Sequence, residues 1–148
     1  MTVYEENYTP EQKQLAEQLI QIEVDALNGF YNGDTTGYRK LWSQESFSYF
    51  DVNTAKRIDR YEEIYDFLMT RVEGKFFVES YEFVAPRVQF GIDMAVLTYH
   101  LPHDENPNSK HYNVIEIFQK NSDGEWQVIH STWQALDPAK LKSNDVVI

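Results

Sequence analysis

Two carboxylates in this chain stand where charge is costly. Asp51 closes the aromatic run Phe47-Ser48-Tyr49-Phe50, and Glu116 lies between Ile115 and Ile117 in the middle of an apolar stretch. A buried charge needs a partner or a task. Two acids facing one apolar hollow can move a proton, because apolar walls hold one of them in its neutral form. The plainer alternative pairs Glu116 with an arginine such as Arg57 or Arg87, or turns it to solvent. Strand alternation groups Glu116 with Val114 and Phe118, opposite Ile115 and Ile117.

The histidines carry a weaker signal. Alternation places His130 with Trp126, Val128 and Thr132, and Ile129, Ser131 and Trp133 on the other face. If Trp133 lines a hollow, His130 points to the outer sheet surface as a structural group near a subunit contact. His100, His103, Asp104, Glu105 and His111 gather around one hairpin. On a strand, His100 and His103 point to opposite faces, so their spacing is a poor chelate. A solvated loop is the expectation there, with no metal site and no cofactor. Nucleophilic triads, phosphate-cradling glycine loops and dinucleotide fingerprints are absent from the sequence.

The aromatics exceed what packing requires. Tyr31, Trp42, Tyr49, Phe50, Tyr99, Tyr112, Phe118 and Trp133 include rings suited to half-buried walls with one polar handle. About half of them are expected to touch a cavity. A ring-walled cavity bearing a carboxylate suits a small apolar or cationic molecule.

The elements that must position these groups follow from periodicity and turn chemistry. Thr9-Pro10-Glu11-Gln12 reads as a helix start with a reciprocal cap. Leu15, Leu19, Ile22, Ala26 and Phe30 then form one apolar face. Asn32-Gly33-Asp34 ends that helix. Asp34 or Thr35 caps a short second helix that buries Tyr38, Leu41 and Trp42. Phe47–Asp51 is a short strand. Asp59 caps a third helix, with Tyr61, Ile64, Phe67 or Leu68, and Val72 inside, and Gly74 stops it. Four long strands follow, at 76–90 with a bulge or edge at Ala85-Pro86, at 94–102, at 110–120 and at 125–134.

Three helices followed by a meander predict an α+β domain, with helices packed on a curved antiparallel sheet. At 148 residues the chain is one domain. Its core spans about 10–135, with a loose arm over 1–8 and a tail over 136–148. Both faces of the last two strands carry apolar residues, so the face away from the helices needs a cover; a second copy is the simplest, which predicts a homodimer. A net charge of −11 disfavours nucleic acid and anionic membrane surfaces. The absence of cysteine excludes disulfides and thiol nucleophiles. No apolar run is long enough to span a bilayer and the N-terminus is acidic, so cytoplasmic residence is expected.

The runs Ala26–Trp42, Phe47–Arg60, Pro86–Leu101 and Asn113–Trp133 resemble the nuclear transport factor 2-like superfamily. Within it they are most similar to SnoaL-like proteins and to the association domain of calcium/calmodulin-dependent protein kinase II. The resemblance covers roughly residues 12 to 135. It implies a cystatin-like cone, three helices closing a curved sheet, usually dimeric. It departs from the association domain in two respects. That domain ends its last strand with two alternating histidines, matched here by His130 and Thr132. It also lines its pocket with arginines, at places matched here by Leu101, Glu116 and Trp133, so the implied cavity is acidic and aromatic.

The resemblance to ketosteroid isomerases implies roles for the two acids: Asp51 as the base, and Glu116, kept protonated, as the donor to an enolate. The isomerase tyrosine would fall near Ala26 and is absent; Tyr31 or Tyr99 would have to replace it. The expected pocket is Tyr31, Trp42, Phe50, Tyr99, Leu101, Tyr112, Phe118 and Trp133. The expected function is small-molecule binding. The alternatives are a cofactor-independent isomerase, cyclase or dehydratase using Asp51 and Glu116, and an oligomerisation module.

Overall fold

The computed structural model describes residues 6–103 and 111–136. Helix α1 (Pro10–Phe30) begins as its sequence dictates. The Thr9 hydroxyl accepts from the Gln12 amide at 3.1 Å and the Gln12 side chain accepts from the Thr9 amide at 3.0 Å. Its buried face is Ala16, Leu19, Ile20, Glu23, Ala26, Leu27 and Phe30. This face is rotated from the expected one, because Ile22 is exposed and Glu23 lies inside. Gly33, at φ +73, turns the chain out of the helix. Helix α2 (Thr36–Leu41) follows, with the Asp34 carboxylate accepting from the Thr36 amide at 3.0 Å.

Helix α3 (Tyr61–Phe67) starts from an extended Arg60 with no side-chain cap. The expected cap, Asp59, is instead occupied by Arg57. The helix runs on through one π-helical turn, Leu68–Val72, closed by the Glu73 amide on the Leu68 carbonyl at 2.8 Å.

The strands are β1 (Ser48–Asp51), β2 (Val84–Gly91), β3 (Met94–Leu101), β4 (His111–Lys120) and β5 (Trp126–Leu136), in the order β1-β5-β4-β3-β2. Neighbours from β2 to β5 run antiparallel, while β1 pairs parallel to β5. The sheet is curved and unclosed, and the helices pack on one face.

Ala85, at positive φ, and Pro86 make the expected bulge in β2. The long strand expected over 76–90 is shorter, however. Residues before Val84 leave the ladder, and isolated bridges join Phe77 to Asn32 just past α1 and Tyr81 to His103 just past β3. A second register shift, between Ile117 and Phe118, inserts Ile129 into β5. It puts Val128 on the inner face with Ser131 and Trp133, and leaves His130 and Thr132 outside. The straight alternation expected for β5, which grouped Val128 with His130, fails there.

The described part of the N-terminal arm is anchored, not loose. Tyr8 donates to the Val88 carbonyl and packs on Phe90, and Glu6 pairs with Arg87. Residues 1–5, the tail from 137 and the loop bearing Asp104 and Glu105 lie outside the described residues.

Candidate functional site

A cavity of about 570 Å³ opens between the helices and the β1–β5 side of the sheet. Four segments build it. The end of α1 contributes Phe30 and Tyr31. The end of α3 and its π turn contribute Phe67, Arg71 and Val72. The crossing segment gives Phe76, Phe77 and Val78. The sheet gives Tyr49, Asp51, Tyr112 and Trp133, with Asn53 and His103 just past strand ends. Eight of these residues carry phenyl, phenol or indole rings, so the walls are flat and apolar. Phe30 stacks on Trp133 at 5.8 Å, and Tyr112 meets Trp133 edge-on at 5.6 Å.

The π turn has a geometric consequence. A five-residue repeat brings Phe67 and Val72 onto one face, with Arg71 beside them.

Apart from Arg71, polar groups sit at two places. At the first, Asp51 Oδ2 accepts from the Tyr49 hydroxyl at 2.7 Å. Its Oδ1 accepts from the Asn53 backbone and side-chain nitrogens at 3.3 and 3.4 Å. Burial, with the Asp51 charge second, pushes the Tyr49 hydroxyl well above the usual tyrosine range, so it remains a donor. At the second, the Tyr31 hydroxyl and His103 Nε2 share a hydrogen bond at 2.6 Å. Burial likewise raises the Tyr31 hydroxyl, and it raises Tyr112 to about 12.

Comparison with solved structures decides the architecture. A presumed ketosteroid isomerase from Parabacteroides distasonis aligns with a TM-score of 0.71 at 22% identity, over 84% of this chain and 89% of its own. A nuclear transport factor 2-like protein of unknown function from Pseudomonas putida aligns at 0.70 and 14% identity, over 88% and 93%. The calcium/calmodulin-dependent protein kinase II hub of S. rosetta aligns at 0.64 and 15%, over 88% and 100%. This chain has the nuclear transport factor 2-like fold. No protein-family model and no curated protein matches it. Identities of this order establish the fold, and the function has to be argued from the site.

Within this nuclear transport factor 2-like cone, the expected site residues divide. Asp51, Tyr31, Tyr112 and Trp133 line the cavity. Glu116 projects inward but does not reach the wall. It is fully buried, accepting from Trp42 Nε1 at 3.2 Å and from the Ser131 hydroxyl. Ser131 in turn accepts from Trp133 Nε1 at 2.9 Å, so the indole separates Glu116 from the cavity. Burial first and Glu23 second hold the Glu116 carboxyl well above the usual range. Neither arginine proposed as its partner reaches it, since Arg57 pairs with Asp59 and Arg87 with Glu6.

Trp42, Tyr99, Leu101 and Phe118 are core, not cavity wall. Trp42 lies between Tyr38 and Phe47, and Tyr99 donates to Glu23 at 2.7 Å. Phe50 faces outward, against His130. His130 bonds Ser48 and Thr132 at 2.7 and 2.6 Å, which ties β1 to β5; burial lowers its pKa.

Several cavity residues escaped the sequence reading. Tyr49 was legible, because strand alternation allows only Tyr49, and not Phe50, to share a face with Asp51. His103 was legible too, continuing the inner positions Tyr99 and Leu101 rather than belonging to a solvated loop. Arg71 was not, since no periodic signal announces a π turn. Its presence means the cavity is not purely acidic and aromatic. His100 lies outside, bonded to Asn113 at 2.7 Å. Among the described residues no three side chains converge as metal ligands.

Proposed function

We propose that the domain binds a small molecule carrying at least one flat ring, apolar over most of its surface, in the cavity between helices and sheet. The observation that carries this is the lining itself: eight phenyl, phenol or indole residues around about 570 Å³, with Asp51, Asn53, Arg71 and His103 as the polar minority. That volume lies within the range of small-molecule sites, and few polar groups in an apolar shell are what fixes one orientation of a ligand. Trp133 gives the test. Ring compounds entering the cavity should quench its fluorescence and raise the melting temperature in proportion to ligand concentration. A screen of ring compounds with no thermal shift, or shifts that survive Trp133→Ala and Phe30→Ala, overturns the reading.

A second reading is favoured by one contact. The Tyr49 hydroxyl fixes one oxygen of Asp51 on the cavity wall, which suits a positioned general base. Glu116 cannot serve as the direct proton donor from behind Trp133, so the two-acid form of the enzyme loses its geometric support while Asp51 keeps its own. Solvent deuterium exchange into cyclic enones, followed by NMR with Asp51→Asn as the control, tests this reading.

The homodimer is also proposed, through the outer sheet face. Ile115 and Phe50 are exposed there beside His130 and Thr132. The likeness to a kinase hub supports assembly as a role for this fold. Among the described residues no helix is long and apolar enough to cross a membrane.

A further inference from the structure

Among the described residues lining the cavity, Arg71 is the only Lys or Arg. Among the described residues its guanidinium makes no hydrogen bond or ion pair. Two acids near it are held by other groups. Glu73, two residues on, accepts from the Thr35 amide at 2.9 Å and the Thr35 hydroxyl at 2.7 Å, and pairs with Arg39 at 3.8 Å. Asp51, across the same cavity, is held by Tyr49 and Asn53. The cavity lining therefore carries an exposed guanidinium and a half-buried carboxylate that do not pair with each other.

The backbone carrying Arg71 is pinned on both sides. The Glu73 amide closes the π turn, and the Gly74 amide donates to the Gly33 carbonyl at 2.7 Å. Lys75 Nζ caps the Thr70 carbonyl at 2.7 Å. A planar fork of donors presented from a fixed turn beside aromatic walls matches a planar anion on a ring.

We propose that the ligand of this cavity is an aryl or cyclic carboxylic acid, its ring among Phe30, Phe67 and Trp133 and its carboxylate on Arg71. This rests on the binding reading above and narrows it. The net charge of −11 opposes an anion at long range, but screening confines that effect to about 8 Å at physiological salt. The local unpaired guanidinium then decides the sign at contact. The same residue argues against the cationic ligand that Asp51 alone would suggest.

The test compares isosteres on the full chain: phenylacetate, phenylacetamide and phenethylamine, with indole as an uncharged probe, by Trp fluorescence and calorimetry. Phenylacetate is expected to bind about tenfold more tightly than phenylacetamide, and phenethylamine weakest. Arg71→Gln is expected to abolish the preference for the acid over the amide. Arg71→Lys, which keeps charge but loses the fork, should retain only part of it. Indole binding with no advantage for the acid, or an advantage that survives Arg71→Gln, overturns the carboxylate proposal alone. Failure of all four compounds to bind overturns it together with the ring-binding reading.

Discussion

Glu23 and Glu116 are both fully buried in one core, and among the described residues neither makes an ion pair. Glu23 accepts from the Tyr38 and Tyr99 hydroxyls at 2.8 and 2.7 Å, and both contacts fall on Oε2. Among the described residues its Oε1 has no partner. Glu116 is held by Trp42 and Ser131. Tyr38 stacks on Trp42 at 4.7 Å, which joins the two acids through one pair of rings. Two desolvated carboxylates without a cation cannot both ionise cheaply. The core therefore keeps Glu116 neutral and makes Glu23 a late titrator.

The pH dependence of stability follows. Burial raises Glu23 from 4.5 to about 7, against the opposing pull of its two tyrosine donors. Between those values the folded state binds more protons than the unfolded one, so stability falls as pH rises. Its contribution is fully present below 4.5 and lost as pH passes through about 7. The size is on the order of 3 kcal/mol, or several degrees in Tm. Glu23→Gln should flatten the Tm profile of the wild type between pH 5 and 8, with the largest gain at the alkaline end. Parallel profiles for the two proteins would show that Glu23 ionises in the core without penalty.

Much of this architecture was readable in the chain. The Thr9 cap, the Pro86 bulge and the inward parity of Glu116 are local rules that tertiary packing left intact. Two of the failures have a common cause. The inserted Ile129 shifts the alternation of β5 by one, and the π turn shifts the helical repeat at Arg71. Each adds one residue to a regular element, and no residue type marks the insertion. Glu23 was missed for a different reason. The apolar face expected from Leu15, Leu19, Ile22, Ala26 and Phe30 leaves it out, although the register 16, 19, 20, 23, 26, 27, 30 places it squarely inside.

Gly37 should resist replacement by alanine, against ordinary helix propensity. A Cβ there would lie 2.8 Å from the Ala26 Cα, where α2 crosses α1. Propensity alone would favour alanine by up to about 1 kcal/mol. Overpacking of two backbones costs about 1–3 kcal/mol and dominates. Calorimetry of Gly37→Ala should give a lower Tm, by roughly 2–6 °C. A higher Tm would mean that the helices have room to separate.

Ile115 should report assembly. It projects from the outer face of β4, opposite the core, and is exposed in the single chain. If a second copy covers that face, Ile115→Lys buries an unpaired charge at the contact and splits the pair. Light scattering should then move from twice 17.5 kDa to 17.5 kDa, with the circular dichroism unchanged. A wild type already at the single-chain mass would remove the dimer from the proposal.

Asp51 and Arg71 should respond in opposite directions to one ligand. The Asp51 carboxylate faces the same cavity as the guanidinium, and its charge is turned toward Tyr49 and Asn53 without being neutralised. An anionic ligand therefore feels repulsion from Asp51 and attraction to Arg71. Asp51→Asn keeps the acceptor oxygen for Tyr49 and removes the charge, so phenylacetate should bind a few-fold more tightly, roughly 1 kcal/mol in a partly screened site. Indole should be unaffected by the change. The same substitution removes any proton abstraction that the wild type performs, typically a loss of about 100-fold or more. Weaker phenylacetate binding to Asp51→Asn would show that the acid group docks on the Tyr49–Asp51 pair instead, as a protonated or donor-bearing species, and would relocate the polar end of the ligand to β1.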